Sequence, residues 1–184
     1  MINIPHNRLT FDAKETNAVL DVIESGHWAC GEKVDQLETV LTQIFNRKYA
    51  VCVSTGFSAL RLALLSLGIK SGDEVIIPAY CCVALVNAIL ASGGTPIPVD
   101  IMEGSWNINP YLVDKAINKK TRAIIAVHTF GYPAMIYDLC QMNIPVIEDC
   151  AHGFGIQINN KMLGSSASPC HYLLFLCNKI YWRW

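Results

Sequence analysis

The chain has 184 residues, 52% hydrophobic and 16% charged, with a formal net charge of −1. That is ample apolar material for one globular domain with a sizeable core, and too much for a disordered chain. The near-neutral balance, with its few basic pairs (Arg47-Lys48, Lys119-Lys120) set apart by apolar stretches, excludes the electrostatic footprint of a nucleic-acid binder.

The opening MINIPHNRLTFDAKE carries charges where a secretory leader needs an apolar core, so a cytoplasmic location is expected. Two amphipathic helices follow. DAKETNAVLDVIESG puts Ala18, Val19, Val22 and Ile23 on one face and stops at Gly26, and EKVDQLETVLTQIF repeats the pattern with Val34, Leu37, Val40, Leu41 and Ile44. Residues 1–48 therefore read as a helical N-terminal segment. From residue 49 β-rich runs alternate with helical ones: YAVCV (49–53), SALRLALLSLG (58–68), EVIIP (74–78), VALVNAILASG (83–93), TPIPVD (95–100), PYLVDKAIN (110–118), RAIIAVH (122–128), MIYDLCQM (135–142) and IPVIED (144–149). Strand and helix alternating through short connections predict a mostly parallel sheet covered by helices, with ligands at the carboxyl ends of the strands.

No charged residue occurs from Val75 to Val99, long enough for a membrane span, but Pro78, Asn87, Gly93, Gly94 and Pro96 divide the stretch into strand, turn, helix and strand. The cysteines at 30, 52, 81, 82, 140, 150, 170 and 177 lie mostly in apolar runs without a CxxC pair, which predicts buried free thiols in a reducing compartment. The histidines at 6, 27, 128, 152 and 171 are not spaced as zinc ligands with them, and no metal is expected.

Three strand ends carry chemistry. In STGFSALRLALL, Thr55-Gly56 turns straight into a helix whose first turn holds Phe57 and Ser58; open N–H groups, a Gly and a hydroxyl suit a phosphate, and an ordinary capped helix is the other reading. PAYCC delivers Tyr80, Cys81 and Cys82 to the same edge, as a site or as core packing. In VIEDCAHGFG, Glu148 and Asp149 end an apolar strand, where a carboxylate needs a cation or a donor. A protonated pyridine nitrogen is one such partner; capping of the next turn is the other reading.

In order and spacing, VSTGFSALRLALLSLGIKSGDEVIIPAY, NAILASGGTPIPVDI, KTRAIIAVHTFGYPAMI and VIEDCAHGFG resemble the DegT/DnrJ/EryC1/StrS family, the pyridoxal-phosphate-dependent aminotransferases of nucleotide-sugar biosynthesis. The resemblance covers residues from about 10 to 165. It implies a type I aminotransferase-like large domain, an α/β fold with a mainly parallel mixed sheet and helices on both faces. Here it is truncated, with 49–165 as the partial cofactor-binding domain. It implies pyridoxal 5′-phosphate as cofactor and a homodimer whose sites draw on both subunits. It also implies transfer of an amino group from an amino-acid donor, commonly glutamate, to a nucleotide-linked keto-sugar, in surface polysaccharide, lipopolysaccharide or deoxyaminosugar biosynthesis. By the same resemblance Gly56, Phe57 and Ser58 hold the cofactor phosphate, with Phe57 in place of the usual Thr. Asp149 pairs with the pyridine nitrogen, and His152 lies near the phenolic oxygen. Cys82 stands where an aromatic side chain usually stacks on the ring. A sugar dehydratase of the same family, an inactive fragment and a non-enzymatic binding module are the alternatives.

The closing HYLLFLCNKIYWRW lacks the family's S-F-x-x-x-K motif. Its codons, read one base later, can spell F-S-F-Y-A-T-K-Y-I-G-G, so residues 166–184 are expected to be an out-of-frame tail, with the shift near Ser165. Lys179 then marks the position of the catalytic lysine, thirty residues after Asp149. Missing neighbours are expected to leave apolar helix faces and sheet edge exposed.

Overall fold

The computed structural model describes residues 11–29, 31–165 and 172–174. Two helices open it, α1 (Ala13–Ser25) and α2 (Glu32–Phe45). Asp12 caps α1 in a full capping box with Glu15, and Gly26 ends it in the left-handed conformation at φ 71°, as the sequence predicts. Yet α1 buries no residue: Val19 and Ile23 are 60% and 54% exposed, so the apolar face expected of it is presented and not covered.

Then come α3 (Gly56–Ser66), β1 (Glu74–Pro78), α4 (Val83–Ala91), β2 (Thr95–Val99), α5 (Pro110–Ala116), β3 (Thr121–Val127), α6 (Ile136–Cys140), β4 (Val146–Asp149), a short antiparallel hairpin β5 (Gln157–Ile158) and β6 (Lys161–Met162), and β7 (Tyr172–Leu174). The strand order is β2-β1-β3-β4-β7, and every pairing in this five-stranded sheet is parallel among the described residues. Thus α/β architecture with a mainly parallel sheet and helices on both faces stands, and among the described residues the antiparallel pairings are those of the hairpin and an Ile101–Ile108 bridge, outside this sheet. β2 takes an edge because Pro96 and Pro98 have no N–H to offer a second neighbour.

Strand parity splits the core. Val75, Ile77, Ala123, Ile125, Val127 and Ile147 pack against α3 and α4 through Leu60, Leu64, Leu85 and Ile89. Ile76, Ile124, Ala126 and Val146 pack on the other face with Val113 of α5 and Ile136 and Leu139 of α6. Inner strands buried on both faces explain the continuous apolar runs, and each fully buried Leu or Ile contributes about 1.5–3 kcal/mol.

The strand expected at 49–53 is not one. Tyr49 and Val51 are 75% and 68% exposed, and the Cys52 N–H donates to the Glu38 carboxylate at 2.7 Å instead of to a sheet neighbour. β propensity alone makes no ladder without a partner strand. Cys150 is a buried thiol outside any disulfide, as expected, whereas Cys52 and Cys81 are only half-buried, Cys82 is exposed and Cys140 is in a disulfide. No helix of the described residues is long and apolar enough to cross a membrane.

Candidate active site

After β1 the chain runs outward to β2, then returns to place β3 on the other side of β1. This reversal opens a crevice between the carboxyl ends of β1 and β3, where parallel sheets bind ligands. A cavity of about 520 Å³ lies there. Thr55, Gly56 and Phe57 supply one wall from the start of α3, and Tyr80, Cys81 and Cys82 another from the end of β1. Thr129 and Phe130 follow β3, Asp149 ends β4, and Ala151 and His152 follow it. A second cavity of about 480 Å³, between α1 and α2, touches none of these strand ends.

Parity explains the composition of the walls. Asp149 continues the Ile147 side of β4, toward α3, whereas Glu148 continues the Val146 side. Asp149 is 2% exposed, and its Oδ1 accepts the Ala151 N–H at 2.9 Å. At the other wall Thr55 caps α3: its Oγ1 accepts the Ser58 N–H at 3.1 Å and lies 2.9 Å from the Ser58 hydroxyl. Gly56 is buried in the first turn, so a ligand here meets helix-start backbone.

Of the residues singled out by the sequence, Gly56, Phe57, Cys82, Asp149 and His152 share this cavity. Ser58 stands one position behind its wall, tied to Thr55, and Lys179 lies outside the described residues.

The sequence did not point to the turn after β3. Phe130 sits at φ 54°, ψ 24°, a left-handed conformation that costs a bulky residue about 1–3 kcal/mol. Two contacts hold it: its N–H donates to His152 Nδ1 at 3.2 Å, and its ring stacks on the imidazole with centroids 6.0 Å apart and planes 6° from parallel. With Nδ1 accepting, the neutral His152 ring carries its proton on Nε2. Trp106 and Tyr80 extend this aromatic edge, at centroid distances of 5.8 and 6.2 Å from Phe130.

Beneath the turn, fully buried His128 accepts the Ala134 N–H on Nδ1 at 3.0 Å and so donates from Nε2 to Glu148 Oε1, 2.9 Å away. The same oxygen accepts the Gly164 N–H at 3.1 Å. Cys150 brings its sulfur within 4.8 Å of these ligating atoms, a grouping of metal-binding type. However, burial first, then Glu148 and Asp149, push its thiol far above the ordinary range, and both imidazole nitrogens are engaged. The cluster therefore acts as a hydrogen-bonded girder between the end of β3 and β4 through Glu148 Oε1, while Glu148 Oε2 is buried without a partner among the described residues. Burial lowers the nearby Arg47 guanidinium, opposed by Glu148 and Cys150, while Arg47 donates to the Gly164 and Ser165 carbonyls.

Residues 10–179 match the DegT/DnrJ/EryC1/StrS aminotransferase family. Among solved structures the chain is similar to DesV of S. venezuelae, with 34% identity, a TM-score of 0.81 and coverage of 84% of this chain and 43% of that one. It is similar also to NtdA of Bacillus subtilis with bound cofactor PMP (35%, TM-score 0.77, 81% and 36% covered). A variant of GDP-4-keto-6-deoxymannose-3-dehydratase, ColD, with bound GDP-perosamine matches at 31%, TM-score 0.81, with 88% and 45% covered. The chain spans less than half the length of each. Its parallel sheet and two helical layers have the type I aminotransferase fold.

Proposed function

The chain belongs to the DegT/DnrJ/EryC1/StrS aminotransferase family, and from that membership we propose that its strand-end cavity holds pyridoxal 5′-phosphate and serves amino-group transfer from glutamate to a nucleotide-linked keto-sugar. One observation carries the reading: a helix start and a buried carboxylate, 93 positions apart in sequence, line the same cavity with aromatic rings between them.

The residues fit such a group. The first turn of α3, with Gly56, Phe57 and the Ser58 hydroxyl, offers backbone N–H groups and a positive helix end to a phosphate. Asp149, buried to 2% exposure, would keep a pyridine nitrogen protonated, because a carboxylate in a low-dielectric wall favours a cation beside it. His152 offers Nε2–H to an oxygen on the ring, and Cys82 borders the space where the ring would lie. The exposed apolar faces of Val19 and Ile23 suit a homodimer, in the cytoplasm. When bound, the cofactor supplies an electron sink and carries nitrogen between donor and acceptor. Lys179 holds the position at which the family's nucleophile and proton carrier stands.

The purified chain, titrated with pyridoxal 5′-phosphate, should shift the cofactor's visible absorbance. Asp149→Asn should weaken binding by at least about tenfold, the scale of one buried charged contact, and Lys179→Ala should abolish the shift. No binding by the unmodified chain sinks the proposal and leaves the inactive fragment. The match to ColD favours a second reading, dehydration. Mass spectrometry separates the two: the keto-sugar gains an amino group in one and loses water in the other.

A further inference from the structure

Thr129 belongs to no assigned site, yet its surroundings are unusual. It is 5% exposed and lines the cavity, and its Oγ1 is buried without a hydrogen-bond partner among the described residues. Leaving a hydroxyl unpaired away from water costs roughly 1–3 kcal/mol, so a buried orphan calls for a partner that arrives later. The backbone around it is not loose. The Thr129 N–H donates to Asn107 Oδ1 at 3.1 Å, and Asn107, 1% exposed, is itself anchored through Nδ2 to the Tyr132 carbonyl at 2.9 Å. The Thr129 carbonyl accepts the Tyr132 N–H at 2.9 Å. Only the side chain is left over.

Its placement says what it would meet. The residue before it donates from His128 N–H to the Asp149 carbonyl at 3.1 Å, and the residue after it donates from Phe130 N–H to His152 Nδ1 at 3.2 Å. Thr129 therefore stands between the two bonds that fasten this turn to Asp149 and His152. It lines the cavity from the segment after β3, a different element from the helix start that suits the phosphate. The strained Phe130 backbone is part of what fixes it there.

We propose that the Thr129 hydroxyl, turned into the cavity by rotation about χ1, is a ligand-contacting group of this site, donating to a polar atom on the ring side of a phosphorylated aromatic cofactor, beside Asp149 and His152. This rests on the cofactor reading above and adds to it a contact that sets ring position. The test compares Thr129→Val, which keeps the shape and removes the hydroxyl, with Thr129→Ser, which keeps the hydroxyl. Two readouts are taken on the full chain: the melting temperature without ligand, and the affinity for pyridoxamine 5′-phosphate by fluorescence titration.

Thr129→Val should melt within about 1 °C of the unmodified chain or above it, since no protein bond is lost. It should bind the probe about 5- to 30-fold more weakly, the equivalent of one hydrogen bond. Thr129→Ser should bind within about threefold of the unmodified chain, a smaller loss than the fivefold or more expected of Thr129→Val. Unchanged affinity in Thr129→Val overturns the inference while leaving the cofactor reading intact. A ligand-free melting temperature lowered by more than about 4 °C overturns it too, because the hydroxyl would then have a structural role. Failure of the unmodified chain to bind the probe overturns both.

Discussion

Replacing His128 with Ala tests whether the buried pair beneath the site holds β3 to β4. The ring is 0% exposed and makes two bonds, Nε2–H to Glu148 Oε1 at 2.9 Å and Ala134 N–H to Nδ1 at 3.0 Å. Truncation removes the acceptor of the Ala134 N–H, while Glu148 Oε1 keeps the Gly164 N–H, and Glu148 Oε2 already has no hydrogen-bond partner among the described residues. Two compromised buried groups at about 1–3 kcal/mol each, with roughly 1–2 kcal/mol more for the cavity left by the ring, predict a loss of about 3–8 kcal/mol. Against the 5–15 kcal/mol of an ordinary domain, that is about a fifth or more of the total. Urea denaturation measures it, and Glu148→Gln, which preserves an acceptor for His128, supplies a milder arm with about 1–2 kcal/mol lost. In a double-mutant cycle with Glu148→Ala the pair should couple by about 1–3 kcal/mol. A loss under about 1.5 kcal/mol for His128→Ala, or a coupling under about 0.5 kcal/mol, would refute the girder.

Gly131→Ala should cost about 2–3 kcal/mol in the same assay, because Gly131 has φ +81° and an added Cβ would meet Ile156 Cδ1 at 2.8 Å and the His152 carbonyl at 3.2 Å. Gly155→Ala, at the same φ but with nothing within 4 Å, should cost only about 1 kcal/mol. Mass-spectrometric iodoacetamide mapping should label exposed Cys82 first and buried Cys150 only on unfolding. The Cys150 thiol, held above its ordinary 9.0 by burial, keeps its proton in the folded state and loses it when unfolded. Its contribution is therefore complete below about pH 9 and declines above it. Denaturation across pH 9–10.5 should show the unmodified chain losing about 1.1 kcal/mol per pH unit more than Cys150→Ala. Equal slopes would place the thiol in water.

Much of the fold is legible because its causes are local. EVIIP, RAIIAV and VIED are strands at the residues where unbroken apolar runs end in turn or polar residues, and Asp12 and Gly26 bound α1 by capping chemistry that needs no tertiary partner. Counting by twos along β4 suffices to send Asp149 and Glu148 to opposite faces. The same local rules fail at YAVCV, since a strand exists only where a neighbour offers a ladder, and here Glu38 takes the Cys52 N–H.

By itself, then, the sequence determined the alternation of elements, the strand-end positions of Gly56 and Asp149, and the family. The tertiary structure alone decided that β3 lies between β1 and β4. From that order come the His128–Glu148 bond across 20 positions, the left-handed Phe130 held by His152 across 22, and the buried, unpaired Thr129 hydroxyl. The partner of a buried polar group depends on which element crosses above it, and periodicity within one element carries no record of that crossing.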